Sequence, residues 1–171
     1  LTGCIGDAQG GGYFPAEMKF SGFDAVIIKG KSPKPVYLWM HHGEAELKDA
    51  GHLWGMTTGD AEDKLKEELE DKRIEVLQIG PAGENLVRFA ALISMSNRAN
   101  GRTGMGAVMG SKNLKAVVVR GKQKPTIANP EKFKELQKLA KTNLEPTGMD
   151  DFGKYGTPDV CSPQNKSGGL P

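Results

Sequence analysis

A chain of 171 residues is long enough for one domain with a real hydrophobic core. Its net charge of +2, with 26% charged residues, excludes a dedicated nucleic-acid binder, because the basic excess is local and not global. No apolar run approaches the ~18 residues of a membrane span, and Leu1-Thr2-Gly3 has neither the basic start nor the apolar centre of a secretory leader, so a cytoplasmic setting is expected.

Residues 1–12 are glycine-rich and read as a loop, with Gly10-Gly11-Gly12 at its end. Residues 13–22 read as a short helix that half-buries Met18 and Phe20 and stops at Gly22. Residues 24–30 hold the continuous apolar run Ala25-Val26-Ile27-Ile28, which predicts a strand buried on both faces. A second strand, rich in aromatic and branched residues, follows over 36–41. His41 and His42 are adjacent, so a regular strand would point them to opposite faces and away from a shared ion. His52 stands alone, and neither Cys4 nor Cys161 belongs to a C-x-x-C pair, which favours plain thiols over a metal centre.

Residues 60–72 form an acidic amphipathic helix, with Ala61, Leu65 and Leu69 repeating every four positions and Thr58 or Asp60 as its cap. Residues 73–80 read as the next strand, closed by Gly80-Pro81-Ala82-Gly83. The apolar residues 86–95 read as another strand, leading to Asn97-Arg98. A short helix over 104–112 and a strand over 114–119 follow. Lys122 to Ala128 is a polar linker, and Asn129-Pro130 opens a helix with an Asn cap and a proline in its first turn. Phe133, Leu136, Leu139 and Ala140 make the buried stripe expected of that helix. Beyond Pro146 the chain thins into Gly, Pro, Ser and Asn and is expected to be weakly ordered. Strands in mixed order with modest helices indicate an α+β fold.

The chemistry concentrates in NRANGRTGMGAVMGSKNLKAVVVR, from Asn97. Arg98 and Arg102 flank the small step Ala99-Asn100-Gly101, and Gly104, Gly106 and Gly110 follow. Residues 98–124 contain Lys and Arg but neither Asp nor Glu. Small residues let a ligand approach the backbone, and guanidinium groups fork onto phosphate or carboxylate oxygens. Glycines of this kind also serve tight packing, and basic residues often line a solvated face, so both readings stand on spacing alone. The spacing Gly104-x-Gly106-x-x-x-Gly110 is one residue too long for a dinucleotide fingerprint, and Gly110-Ser111-Lys112 is in the wrong order for a P-loop.

That string resembles the N-terminal domain of the tungsten-containing aldehyde:ferredoxin oxidoreductase family. So do the opening LTG, GGGYFPAEMKFSGFDAVIIKGK, KPVYLWM and IGPAGENLVRFAAL, in family order. The resemblance implies an α+β domain of mixed sheets and short helices built from paired similar halves, here truncated at its start. It divides the chain into a pterin-cofactor-binding domain over 1–124 and, over 125–171, a linker helix and the beginning of a second domain. The chain is therefore expected to be an internal piece of a longer enzyme, inactive by itself.

Further implications concern the site. The family oxidises aldehydes to carboxylic acids and passes electrons to ferredoxin, using tungsten (molybdenum in rarer relatives) held by two pterins. Motif matching assigns cofactor contacts to Gln9, Gly11, Arg98, Ala99, Gly101 and Arg102. Asparagine is usual in the family where Gln9 stands, which leaves the main-chain carbonyl as the contact there. The carbonyls of Gln9 and Ala99 are the implied ligands of a magnesium ion bridging the pterin phosphates. A [4Fe–4S] cluster would be bound by later domains, and no catalytic residue is assigned in this stretch. Implied partners are those domains, ferredoxin and an aldehyde, with a homo-oligomer left open and neither nucleic acid nor membrane. Two alternatives stay in view: a non-catalytic scaffold that kept the domain, and a family member that reduces an aromatic thioester.

Overall fold

The computed structural model describes residues 5–143 and 149–170. The chain forms two compact units, Leu1–Pro125 and Thr126–Pro171.

The first unit contains strands β1 (Val36–His41), β2 (Glu44–Asp49), β3 (Glu75–Gln78), β4 (Leu92–Ser94), β5 (Arg98–Asn100) and β6 (Leu114–Arg120). Its helices are α1 (Phe14–Phe20), α2 (Thr58–Glu68), α3 (Pro81–Glu84) and α4 (Met105–Ser111). The strands make one six-stranded mixed sheet in the order β2-β1-β6-β3-β4-β5. β6 runs parallel to β1 and antiparallel to β3, so the fold is α+β with a mixed sheet.

Every residue of β6 is buried, which explains its run of small branched side chains between two layers. On one face Tyr37, Trp39, Val76, Ala116 and Val118 pack with Leu65 of α2 and with Leu53 and Ile74. On the other, Met40, Val117 and Val119 pack with Phe14 of α1 and Met109 of α4. At the end of β6, Arg120 joins the two layers. Its Nη1 donates to Glu17 of α1, and its Nε donates to Asp71 after α2 at 2.7 Å. Burial opposes ionisation of Asp71, but the bonds from Arg120 and from the Arg73 backbone outweigh it and lower the carboxyl from 3.8 to about 2. Burial and the neighbouring Glu68 carboxylate push the Tyr37 phenol well above its usual range.

Several boundaries differ from the sequence reading. Residues 24–30 form no strand, and Ile27 is 82% exposed. An apolar run becomes a strand only where a neighbour offers hydrogen bonds, and β1 already has β2 and β6 on its two sides. Only the two ends of the segment are tied down: Lys19 Nζ donates to the Asp24 carboxylate at its start, and beyond it Ser32 N–H donates to the Lys112 carbonyl at 3.0 Å and Lys112 Nζ to Gly30 at 3.2 Å. The acidic helix is capped by Thr57, whose hydroxyl accepts from Asp60 N–H at 3.3 Å; neither Thr58 nor Asp60 does so. It ends at Glu68, and Glu70 then turns the chain with φ of 52°. Of residues 86–95 only 92–94 are strand, because Leu86 takes φ of 58° and 86–91 turn back over α4. β2 follows β1 through the two-residue turn His42-Gly43, both at positive φ, as tight hairpins require.

The second unit contains α5 (Pro130–Thr142), α6 (Met149–Tyr155), a 3-10 turn (Thr157–Val160) and α7 (Cys161–Ser167). Asn129 caps α5 as expected, its Oδ1 accepting from Lys132 N–H at 2.9 Å. The stripe of Phe133, Leu136, Leu139 and Ala140 is exposed, since no residue of α5 is buried. The tail expected to be weakly ordered forms α6 and α7, with Gly168 at φ of 71° ending α7; residues 144–148 lie outside the described residues.

Candidate functional site

β4 and β5 form a short hairpin at the sheet edge, with Ser94 opposite Arg98 and Ile93 opposite Ala99. Its turn is sharp: Met95 and Ser96 take φ of 51° and 55°. Arg98 and Ala99 therefore sit at the start of an edge strand, and Gly101 and Arg102 lie in the turn before α4.

The glycine-rich loop lies against this hairpin. Asn100 Nδ2 donates to the Ala8 carbonyl at 2.9 Å, and Thr103 Oγ1, which donates to the Arg102 carbonyl at 2.7 Å, lies 3.3 Å from that of Asp7. A Cβ on Gly10 would lie 2.6 Å from Asn100 Oδ1. One on Gly12 would lie 2.6 Å from Met95 Sδ and 3.1 Å from Arg98 Cγ. These approaches bring the loop of Gln9 and Gly11 beside the segment of Arg98, Ala99, Gly101 and Arg102. All six residues are exposed. A concavity of about 180 Å³ opens where the two meet, lined by Gly10, Gly11, Phe14, Met18, Ser94 and Asn100, among others. A larger depression of about 420 Å³ lies elsewhere, among Asp63, Lys66, Glu67 and Lys72. Its charged solvated lining offers no converging apolar wall, so the smaller concavity is the better binding surface.

The glycines divide into two groups. A Cβ on Gly110 would lie 1.9 Å from the Gly83 carbonyl oxygen, and one on Gly106 2.6 Å from that of Ala91. Gly104, at φ of 72°, would place a Cβ 2.4 Å from the Arg88 carbonyl oxygen. These three serve close packing, and for them the bland reading of the motif is the right one. Gly11 and Gly101 differ, since nothing lies within 4 Å of a Cβ built on either.

Electrostatics separates the arginines in the same way. Arg120 is committed to Glu17 and Asp71, and Lys115 to Glu84. Among the described residues no ion pair involves Arg98 or Arg102. Two uncommitted guanidinium groups, an open glycine on each segment and exposed main chain suit a phosphate-bearing ligand. Among the described residues no group of His, Cys, Asp and Glu is arranged to hold a metal. Any ion here would have to use main-chain carbonyls and ligand oxygens. The Gln9 side chain instead reaches Asp7 Oδ2 at 3.4 Å. Sequence reasoning passed over Asn100, Thr103 and Ser94; the one available signal was a hydrogen-bonding residue inside an otherwise small-residue step.

The profile described as "Aldehyde ferredoxin oxidoreductase, N-terminal domain" matches residues 1–121. This chain belongs to that family. A tungsten-containing aldehyde ferredoxin oxidoreductase of Pyrococcus abyssi is 48% identical over 173 residues, covering 100% of this chain and 28% of the relative. The WOR-like subunit of an aliphatic sulfonate oxidoreductase of Pyrococcus furiosus is 38% identical, covering 82% of this chain and 24% of its own. Among solved structures, the active-site complex BamBC of benzoyl coenzyme A reductase, with 1,5-dienoyl-CoA, matches with a TM-score of 0.72 at 41% identity. That match covers 75% of this chain and 20% of the other. The aldehyde ferredoxin oxidoreductase resemblance read from the sequence is thus established. The chain spans about 28% of the length of the Pyrococcus abyssi relative. Among the described residues no helix is long and apolar enough to cross a membrane.

Proposed function

We propose that the loop of Gln9 and Gly11 and the segment 98–102 hold the phosphates of a tungstopterin cofactor in an oxidoreductase. The supporting observation is their side-by-side placement, with Arg98 and Arg102 free of carboxylate partners among the described residues and Gly11 and Gly101 open to a ligand. Arg98 and Arg102 neutralise phosphate charge through forked hydrogen bonds, while Gly101 and Ala99 keep the approach clear. The carbonyls of Gln9 and Ala99 face the demand of a magnesium ion for a few oxygen ligands beside phosphates and water. When bound, the metal–pterin group supplies the redox chemistry, and this chain supplies position and charge.

In the complete protein the proposed reaction is oxidation of an aldehyde to a carboxylic acid, with electrons passed through a [4Fe–4S] cluster held elsewhere to ferredoxin, in the cytoplasm. The domain assignment is 1–124 for cofactor binding and 125–171 for the start of a second domain. A second reading, reduction of an aromatic thioester, is favoured by the likeness to the benzoyl coenzyme A reductase complex. The test is tungsten and pterin content per polypeptide in the purified full chain. Arg102→Ala should lower both by an order of magnitude or more, given ~2–3 kcal/mol for a lost charge-assisted contact. Wild-type content in that variant would refute the assignment. Assaying the loaded wild type with an aldehyde and with an aromatic thioester separates the two reactions.

A further inference from the structure

Asn100 is the one residue of the arginine-flanked step whose side chain is turned toward the glycine loop and not left open. It is half-buried, and its neighbours Ala99 and Gly101 are exposed. Its Nδ2 donates to the Ala8 carbonyl at 2.9 Å across 92 positions of sequence. Its Oδ1 sits where a Cβ of residue 10 would fall, at 2.6 Å, with Cγ at 2.9 Å. The same side chain therefore grips the loop just before Gln9 and presses on it just after. Thr103, three residues further on, has its hydroxyl 3.3 Å from the Asp7 carbonyl, but its single proton has a nearer acceptor in the Arg102 carbonyl at 2.7 Å. The Gln9–Asp7 contact is internal to the loop, and Tyr13 N–H, where the loop enters α1, reaches Met95 Sδ at 3.1 Å. A glycine-rich segment loses more backbone freedom on ordering than any other, so a loop of this kind needs an external tether to present its main chain in one place.

We propose that Asn100 is a positioning residue for ligand binding. Its amide fixes the glycine loop, and through it the main chain of Gln9 and Gly11, at the distance from Arg98 and Arg102 that an anionic ligand requires. Gly10 is its matched partner, because a Cβ at 10 would push the Asn100 amide out of its present place. The inference rests on the cofactor reading for what the loop is positioned to do. The tether itself does not.

The test uses the full chain from tungsten-depleted growth and follows the rate of endoproteinase Asp-N cleavage before Asp7 by mass spectrometry, since cleavage requires the exposed loop to leave its place. Asn100→Leu keeps the branched shape, in a somewhat larger side chain, without the donor, and Asn100→Ala removes both. In each the loop should be cleaved roughly fivefold faster, the consequence of one lost hydrogen bond, while cleavage sites in α2 keep their wild-type resistance. A space-filling role would leave Asn100→Leu at the wild-type rate, and that result would overturn the proposal. Gly10→Ala should raise the cleavage rate with Asn100 present and add nothing in the Asn100→Ala background. Additive effects would show that the two residues are not matched. Gly10→Ala also poses the question should Asn100→Leu not fold.

Tungsten and pterin content after growth with tungsten gives the second readout. Asn100→Leu should retain several-fold less cofactor than wild type. Faster loop cleavage with wild-type cofactor content would remove the positioning role and leave only a structural contact. The two readings fail separately. Arg102→Ala with normal cofactor content sinks the cofactor assignment whatever the loop does. Low content in Arg102→Ala, beside wild-type loop cleavage in Asn100→Leu, sinks only the inference about Asn100.

Discussion

Lys115, with no solvent-exposed surface near the start of β6, donates its ammonium to the Glu84 carboxylate at the end of α3. The same ammonium donates to the Met56 carbonyl at 3.0 Å, and Glu84 Oε2 accepts from Gly55 N–H at 2.8 Å. A buried pair supported on both sides is costly to break singly.

Glu84→Gln should therefore destabilise the protein by about 3 kcal/mol or more, because the ammonium is left buried without its counter-charge. Lys115→Met combined with Glu84→Gln should recover most of that loss. Urea denaturation of wild type, single variant and double variant decides the matter. A double variant no better than Glu84→Gln would show that the charge is not the source of the cost.

Glycines of the same motif should respond in opposite ways. Gly110→Ala forces a methyl against the Gly83 carbonyl and should cost about 1–3 kcal/mol of stability or more. Gly101→Ala meets nothing within 4 Å and should change stability by less than about 0.5 kcal/mol. It should nonetheless lower tungsten and pterin content. Thermal melting and cofactor analysis of both variants give the comparison.

Arg102→Lys keeps the charge but cannot form the planar fork, so cofactor content should fall between those of wild type and Arg102→Ala. Lys122→Ala lies outside the motif and should retain wild-type content. Loss of cofactor in Lys122→Ala equal to that in Arg102→Ala would mean that general positive charge, not the arginine segment, carries binding.

Stability should depend on pH through Asp71. Its carboxyl is lowered from 3.8 to about 2 in the folded protein, so the native state favours the ionised form. The associated stabilisation, on the order of 2 kcal/mol, is fully present above the unfolded value and is lost as pH falls from about 4 to about 2. Asp71→Asn should lower stability at neutral pH and remove this part of the acid dependence. Denaturation midpoints measured across that range check the sign.

The sequence was most legible where one physical signal acted alone. β1 and β6 are apolar enough to be strands, and the Asn129-Pro130 start of α5 follows from local capping. Residues 24–30 misled because a continuous apolar run reports hydrophobicity and not the presence of a hydrogen-bonding neighbour. β2 passed unnoticed for the opposite reason: Glu44, Ala45, Glu46 and Leu47 are all exposed, so no buried face marks the strand. Its position comes from the turn at His42-Gly43. Phe133, Leu136 and Leu139 have helical spacing that predicts burial, yet spacing says nothing of what covers the face.

At the candidate site, the arginine step and the glycine loop were legible as ligand-type sequence, but the division of labour among glycines was not. Gly101 and Gly110 look alike in a string, and only the approach of Gly83 to one of them tells packing from openness. The role of Asn100 was equally hidden, since its partner Ala8 lies 92 positions away.

The arginine step begins on β5, an edge strand of the sheet, and runs on into the turn after it, while the stability of the unit resides in β6, three strands inward. Inheritance can treat these two places differently. Substitutions along 98–103 can retune what is held, and how tightly, without passing through an unfolded ancestor. Changes at 114–120 are screened first for whether the molecule exists at all. A scaffold arranged in this way can diversify its chemistry among descendants while its architecture stays constant.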